Sequence, residues 1–245
     1  MLHIPTIIRA PTQRGLSIMH HRNALLALAL IGLAGIAHAR ENAILATGKM
    51  LTPAETQAYL VGKSRRADAP RTSVVVFPRH AIERLLAQPG AAGINAEFVR
   101  DPATGNPTLL LRGIDTAGTT FGPWIGRGID CATDCARERR LDTRSDNAGD
   151  VLTPRQVQAY LSSALRQPAQ DRFAPNTAST SLPAGIYRQL LASPEVVAIA
   201  SHFVVDANGR DTLMLQGIDA NGQVVGLSAN HATLCPPSCP PSSTD

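Results

Sequence analysis

The chain has 245 residues, of which 44% are hydrophobic and 17% charged, a composition typical of a folded globular protein and not of a disordered one. Aromatic residues make up only 4%, with one tryptophan, so a stacking platform for nucleic-acid bases has little to be built from. The net charge of +4 falls to +1 without residues 1–39, which contain three arginines and no acidic residue. The composition therefore indicates no nucleic-acid partner.

The N-terminal region has the pattern of an export signal. Residues 24–36 form an uncharged apolar run of 13 residues between a basic cluster, 20–22, and the sequence Ala37-His38-Ala39. A basic region, a short apolar stretch and an A-x-A site are typical of a cleavable secretory signal peptide. As a helix the run would rise about 20 Å, less than the ~30 Å hydrocarbon core that an anchor must cross. We predict cleavage after Ala39, translation from Met1 or from Met19, and a periplasmic or secreted mature form without a transmembrane anchor.

The mature chain repeats itself. The ten residues from Leu51 match those from Leu152 at seven positions, and the eight from Thr108 match those from Thr212 at six. From Thr108 onward a constant offset of 104 aligns the two copies without a gap through both pairs of cysteines. This register indicates a tandem duplication of one supersecondary unit. The predicted organisation is a signal peptide at 1–39, a first repeat at 40–135, a charged linker at 136–151, a second repeat at 152–239 and a tail at 240–245.

Each repeat begins with the pattern of a capped helix. Thr52 and Thr153 are the predicted N-caps, each followed by proline at the first helical position and by Glu55 or Gln156 at the third. This spacing is that of a capping box, and proline is tolerated where the N–H has no helical partner. A second helix is predicted near Pro78–Gln88 and near Pro183–Ser193. Its apolar face has the spacing i, i+3, i+4 in both copies: Ile82, Leu85 and Leu86, and Tyr187, Leu190 and Leu191.

Three strands joined by hairpin-type turns follow the second helix in each repeat. They are predicted at Ile94–Arg100, Thr108–Ile114 and Thr120–Ile125, and again at Val197–Val205, Thr212–Ile218 and Gln223–Ser228. Two helices with a three-stranded antiparallel meander make a small α+β unit. Val74–Phe77 is a candidate for a further strand in the first repeat only. The pattern leaves open whether the two sheets stay separate or join as one six-stranded sheet.

The four cysteines form two equivalent pairs, Cys131 with Cys135 and Cys235 with Cys239, just past the last strand of each repeat. In an exported protein an even, paired count predicts a disulfide within each pair, which stabilises by about 2 kcal/mol for so short a loop. One zinc site formed by all four thiolates is an alternative. A thiol-redox pair is another, although redox cysteines favour C-x-x-C at a helix N-terminus. Covalent haem does not fit, because alanine and proline follow the second cysteines where that motif has histidine.

No catalytic residue is assigned and no cofactor is predicted. The mature chain has three histidines, which find no histidine at the aligned position of the other copy and are interpreted as surface or satisfied side chains: His80, His202 and His231. The segment Asp206–Asp211 resembles a calcium loop but lacks the closing glutamate, and is interpreted as a hairpin turn. Asp115 and Asp219 recur before turns, where aspartate accepts hydrogen bonds from its own backbone.

The repeat resembles a family of small uncharacterised bacterial proteins. The pattern of that family is a helix ending Leu-Leu-x-x-Pro-Gly, a strand ending Gly-x-Asp and a C-terminal Cys-Pro-Pro-x-Cys. Residues 85–90, 217–219 and 235–239 carry it, and both copies are covered almost throughout. The first copy departs from it with Ala132-Thr133 in place of the two prolines. The resemblance implies the boundaries of the unit and no activity, and the family's single-unit members argue against a metal site shared by two copies.

These observations give a functional hypothesis without an active site. We expect an exported non-catalytic module that binds a ligand or an envelope protein partner, or that has a structural role in the envelope. The alternative is a metal-binding or thiol-redox protein that uses the two cysteine pairs, Cys131, Cys135, Cys235 and Cys239.

Overall fold

The computed structural model describes residues 47–64, 74–131, 148–163, 176–230 and 232–235, which belong to one compact unit. Helices and antiparallel sheets together confirm the α+β class. No helix within these ranges is long and apolar enough to cross a membrane. The signal peptide, most of the linker, Cys135, Cys239, His231 and the tail lie outside the described residues, and what was predicted for them stays a prediction.

After β1 (Lys49–Met50), which corresponds only to an isolated bridge of Val151 with Ile125, the first half, residues 47–131, and the second half, residues 148–235, have their elements in the same order. The first half contains β1 (Lys49–Met50), α1 (Pro53–Ser64), β2 (Val74–Pro78), α2 (Arg79–Leu86), β3 (Gly93–Arg100), β4 (Pro107–Ile114), β5 (Thr120–Ile125) and β6 (Ile129–Cys131). The second half contains α3 (Pro154–Ser162), β7 (Ser179–Pro183), α4 (Ala184–Leu190), β8 (Ala198–Val205), β9 (Asp211–Ile218), β10 (Val224–Asn230) and β11 (Thr233–Cys235). The six predicted strands and four predicted helices are confirmed within a few residues of their expected bounds.

The strand at Val74–Phe77 is present as β2, but the prediction that the second repeat has no such strand is wrong. Its counterpart β7 has the sequence Ser-Thr-Ser-Leu-Pro, where β2 has Val-Val-Val-Phe-Pro. The polar residues of β7 hide it from a search for apolar alternation. The structure also has the short strands β1, β6 and β11, which the sequence pattern did not indicate.

The two halves exchange strands. Sheet A has the order β1-β10-β9-β8-β2-β6 and sheet B the order β11-β7-β3-β4-β5, with antiparallel pairing throughout. Strand β2 of the first half therefore lies beside β8 of the second, and β7 of the second lies beside β3 of the first. The sheets are neither one per half nor a single six-stranded sheet, because each of them contains strands from both halves.

One hydrophobic core lies between the two sheets and contains side chains from both halves. Phe98 of β3 and Phe203 of β8, which occupy corresponding places in the two halves, meet there with ring centroids 5.6 Å apart. The predicted faces of the second helices are confirmed, since both pack into this core. The contacting residues are Ile82 and Leu85 of α2, Tyr187 and Leu190 of α4, and Leu191 directly after α4.

The outer face of each sheet is partly covered by the first helix of a half. On sheet A, Leu51, Tyr59 and Leu60 from the start of the first half pack against Val204 and Met214. On sheet B the corresponding residues, Leu152, Tyr160 and Leu161, pack against Val99 and Leu110.

Both predicted capping boxes are confirmed. The N–H of Thr52 donates to Glu55 Oε2 at 2.8 Å, and the N–H of Glu55 donates to Thr52 Oγ1 at 3.3 Å. Thr153 and Gln156 make the same reciprocal pair at 2.9 and 3.4 Å. Two donors of each first turn thus find acceptors without tertiary contacts.

Candidate functional site

Two of the four predicted site cysteines are described, and both end an edge strand. Cys131 closes β6 opposite Val74, and Cys235 closes β11 opposite Ser179. They are 4% and 6% exposed, and neither is a free cysteine. Because Cys135 and Cys239 lie outside the described residues, the pairing of the four cysteines stays a prediction. Both cysteine residues are buried, so a reaction partner or a metal ion could reach their thiols only if the strand ends moved.

The order of the strands places Cys131 and Cys235 at opposite edges of the two-sheet sandwich. Three residues connect β5 to β6, so β6 lies near the β5 edge of sheet B. Only two residues separate β10 from β11, so β11 lies near the β10 side of sheet A. Strands β6 and β10 are four strand spacings apart in sheet A, which corresponds to about 19 Å.

The aspartates that were interpreted as turn residues cap turns, as predicted. Asp115 Oδ1 accepts from the N–H of Thr119 at 2.8 Å, and Asp219 Oδ1 accepts from the N–H of Gln223 at 2.8 Å. Asp206 accepts from the guanidinium of Arg210 through Nε at 2.9 Å. Burial alone would raise the pKa of Asp206, but the hydrogen bonds from the backbone and side chain of Arg210 keep it below its usual value. The carboxylate is thus engaged within its own hairpin.

An open groove of about 440 Å³ lies where the two halves meet at the start of α2. This volume is of the order of small-molecule sites, but the groove is shallow and open to solvent. One wall is made by α2 and the residue before it, and the other by the connection from α4 to β8. The lining residues are Pro78, Arg79, His80, Glu83, Pro194, Val196 and Val197.

Arg79 ties the two walls of this groove together. Its N–H donates to the carbonyl of Val197 at 2.8 Å, and its guanidinium Nη1 donates to the carbonyls of Ser193 and Val196 at 3.2 and 3.1 Å. Its Nε donates to Glu83 Oε1 at 2.7 Å. Since one side chain satisfies acceptors of both walls, the width of the groove is fixed by the fold.

His80 is exposed, as the surface interpretation predicted, and it lines the groove. The corresponding helix positions of the second half have Ala184, Gly185 and Arg188 where the first half has Arg79, His80 and Glu83. The groove-lining side chains are therefore specific to one of the two junctions between halves. The groove was not predictable from local patterns, because its opposite wall lies more than a hundred residues away along the chain. The available signal was the difference between His80 and Gly185, and between Glu83 and Arg188, in the two halves.

The outer faces of the two sheets differ in polarity at corresponding positions. In sheet B one row of cross-strand neighbours, hereafter the polar row, consists of Thr233, Ser181, Asn95 and Arg112. The corresponding row of sheet A consists of Ile129, Val76, Ala200 and Gln216. Ser181 Oγ donates to Asn95 Oδ1 at 2.9 Å, and the two side chains are 2% and 0% exposed. Asn95 Nδ2 is buried without a hydrogen-bond partner.

Arg112, at the end of the polar row, packs within the first half. Its Nε donates to the carbonyl of Gly122 at 3.1 Å, and its guanidinium carbon lies 5.0 Å from the centroid of the Trp124 ring. The single tryptophan of the chain is therefore a cation–π partner inside the fold.

A small polar cluster lies where α3 meets the β3–β4 hairpin. Tyr160 donates to Asp101 Oδ2 at 2.9 Å. Asp130 is exposed as a whole residue, but its carboxyl lies close to the protein, and desolvation raises its pKa to about 6. A hydrogen bond with Thr108 opposes this shift, and the charge of Asp101 adds to it. Within the described ranges, no group of three or more histidine, cysteine, aspartate or glutamate side chains is placed to hold a metal ion.

The molecule offers no assignment by similarity: no family model, no curated protein and no solved structure matches the chain. The resemblance to the small Cys-Pro-Pro-x-Cys proteins therefore stays a prediction.

Proposed function

We propose that the mature chain is an exported, non-catalytic binding module made of two copies of one unit, and that the groove beside α2 is its ligand site. The duplication is supported by corresponding contacts in the two halves. Tyr59 packs against Val204 and Met214, as Tyr160 packs against Val99 and Leu110. The strand partners also correspond and support a duplication: β2 pairs with β8 as β7 pairs with β3, and β6 pairs with β2 as β11 pairs with β7.

The observation that carries the binding role is the difference between the two junctions. Corresponding positions of a duplicated fold have the same backbone environment, so polar side chains found at only one of them are not needed to make the fold. His80 and Glu83 are such side chains, replaced by Gly185 and Arg188 in the second half. They face an accessible groove whose two walls are joined by hydrogen bonds from the Arg79 guanidinium to backbone carbonyls of the opposite wall.

The lining of the groove indicates the kind of ligand. Pro194 and Val197 provide the accessible apolar surface, whereas His80 and Glu83 provide hydrogen-bonding groups on one side. This combination suits a small molecule with an apolar body and one polar group. Arg79 is occupied by Glu83 and by two backbone carbonyls. It therefore positions the walls, while His80 and Glu83 contact the ligand.

The structure of the cysteine edges supports structural bridges over the metal and redox alternatives. A redox-active thiol has to be accessible to its partner, but Cys131 and Cys235 are 4% and 6% exposed at strand ends. Four thiolates on one zinc ion, each about 2.3 Å from the metal, need their sulfurs within about 4 Å of one another. Strand ends at opposite edges of a sandwich suit one bridge per half. Non-reducing peptide mapping of protein purified from the periplasm tests this; free thiols with bound zinc would restore the alternative.

The groove is tested by NMR screening of small fragments against the isotope-labelled mature protein. We expect a subset of fragments to shift the signals of His80 and Val197, and we expect His80→Ala to weaken these shifts at unchanged thermal stability. Glu83→Ala should weaken them too, but it also removes the ion pair with Arg79 and should lower stability by about 0.2–0.5 kcal/mol. Arg188→Ala, at the corresponding position of the second half, is the matched control and should leave them intact. Fragment binding that clusters elsewhere, or that His80→Ala does not affect, would contradict the proposed site.

A further inference from the structure

We propose that the hydrogen-bonded pair of Asn95 and Ser181 determines which strand lies beside β3, so that the two halves of one chain pair with each other and not with a second copy of the chain. The pair lies on the outer face of sheet B, away from the groove, and the proposal does not depend on the ligand site.

The fold contains two exchanged strands that could in principle trade places. Strand β2 forms five residue pairs with β8, and β7 forms five residue pairs with β3. Because β2 and β7 occupy corresponding places in the two halves, the backbone of either fits beside either meander. When two chains meet, β2 of one molecule can therefore pair with β3 of the other. Such half-for-half exchange would give dimers with the same backbone pairing.

The side chains distinguish the two arrangements. In the observed fold Ser181 lies beside Asn95, and Val76 lies beside Ala200. The first pair is polar with polar, joined at 2.9 Å, and the second is apolar with apolar, 0% and 3% exposed. If β2 lay beside β3, Val76 would face Asn95 and leave a fully buried amide without any partner. A buried polar group with no hydrogen bond is strongly unfavourable, so this pairing is disfavoured.

Asn95 also shows the disadvantage expected of a specificity element. One end of its amide is unpartnered even in the observed pairing, because Ser181 reaches only the other end. Sheet A has alanine at the corresponding place without consequence for the fold. A buried asparagine that lowers stability while excluding wrong partners is known from the register positions of coiled coils.

The direct test exchanges the two residues between the strands. In the full-length mature variant Val76→Ser/Ser181→Val, Ser at 76 faces Ala200 and Val at 181 faces Asn95, so both pairs are mismatched within one chain. If β2 of one chain pairs with β3 of a second chain, and β7 pairs with β8 in the same way, serine again lies beside Asn95 and valine beside Ala200. We expect gel filtration and native mass spectrometry to show a monomeric wild type and a dimeric exchange variant. Thr180→Val, which removes a hydroxyl from the same strand without touching the pair, is the control and should stay monomeric.

A double-mutant cycle makes the proposal falsifiable if the exchange variant does not fold. Asn95→Ala and Ser181→Val are measured singly and together by urea unfolding. We expect the two effects to be coupled. The folding equilibrium constant of the double variant should be about fivefold or more higher than the product of the two single effects predicts. A monomeric exchange variant with the wild-type midpoint, or independent effects of the two substitutions in the cycle, would overturn the proposal.

Discussion

The hydroxyl of Thr180 is a buried polar group that the fold leaves unsatisfied, and replacing Thr180 with valine should stabilise the protein. Thr180 is 2% exposed on β7, and its cross-strand neighbours Ala96 and Leu234 offer no side-chain acceptor. Its Oγ1 has no hydrogen-bond partner. The corresponding residue of sheet A is Val75, which is 0% exposed in the same core. Valine therefore fits this environment in the other half of the chain.

The expected gain follows from the unpaired hydroxyl. A buried donor or acceptor without a partner lowers stability by about 1–3 kcal/mol, and valine replaces the hydroxyl with a methyl group of similar size. For a protein of this size a gain of about 2 kcal/mol raises the unfolding midpoint by roughly 4–8 °C. Circular dichroism melts give this shift, and urea unfolding at constant slope shows that the denatured state is unchanged.

The reciprocal substitution is the matched control. Val75→Thr places an unpaired hydroxyl at the corresponding position, so it should lower the free energy of unfolding by a similar amount. A Thr180→Val variant less stable than the wild type would refute the reasoning. So would a Val75→Thr variant without any loss, because the two positions would then not share one kind of core.

Two further predictions concern local contacts. Folding raises the pKa of Asp130 from 3.8 to about 6, so ionisation of this carboxyl opposes folding, and the stability falls as the pH rises through this window. Asp130→Asn stays neutral, so it should unfold at a higher temperature than the wild type at neutral pH and at the same temperature near pH 4. Equal differences between variant and wild type at both pH values would contradict the assignment. Thr52→Ala and Thr153→Ala each remove an N-cap and should each lower the free energy of unfolding by about 1 kcal/mol. Because the two helices pack on different sheets, urea unfolding of the double variant should show the sum of the two losses. A strongly non-additive loss would contradict independent caps.

The four helices and the six meander strands, β3–β5 and β8–β10, were predictable because their signals are local. In β4 the apolar run Leu109–Leu111 is short and bounded by turn sequences, and Asp-Ala-Asn-Gly type turns end the strands. The caps follow from a four-residue motif at Thr153. In each case the side chains that decide the structure lie within a few residues of one another, so periodicity and turn chemistry suffice.

The exchange of strands was not predictable from such signals. Ser179–Pro183 has too little apolar character to be recognised as a strand, and it owes its place to Asn95 and its neighbours far away in the chain. The groove escaped for the same reason, since His80 and Val196 meet only in the folded molecule. A position-by-position comparison of the two halves would have pointed to both features, because Val76 and Ser181, like His80 and Gly185, are unlike residues at corresponding places.

The central claim is that each half of the chain completes the sheet of the other. Cross-strand nuclear Overhauser contacts in the isotope-labelled mature protein test it most directly. The fold predicts contacts of Val75 and Val76 with Ser201 and Ala200, together with contacts of Thr180 with Ala96. Contacts of residues 74–78 with 93–97 in place of 198–202 would show that each half pairs with itself, and would contradict the interlocked fold.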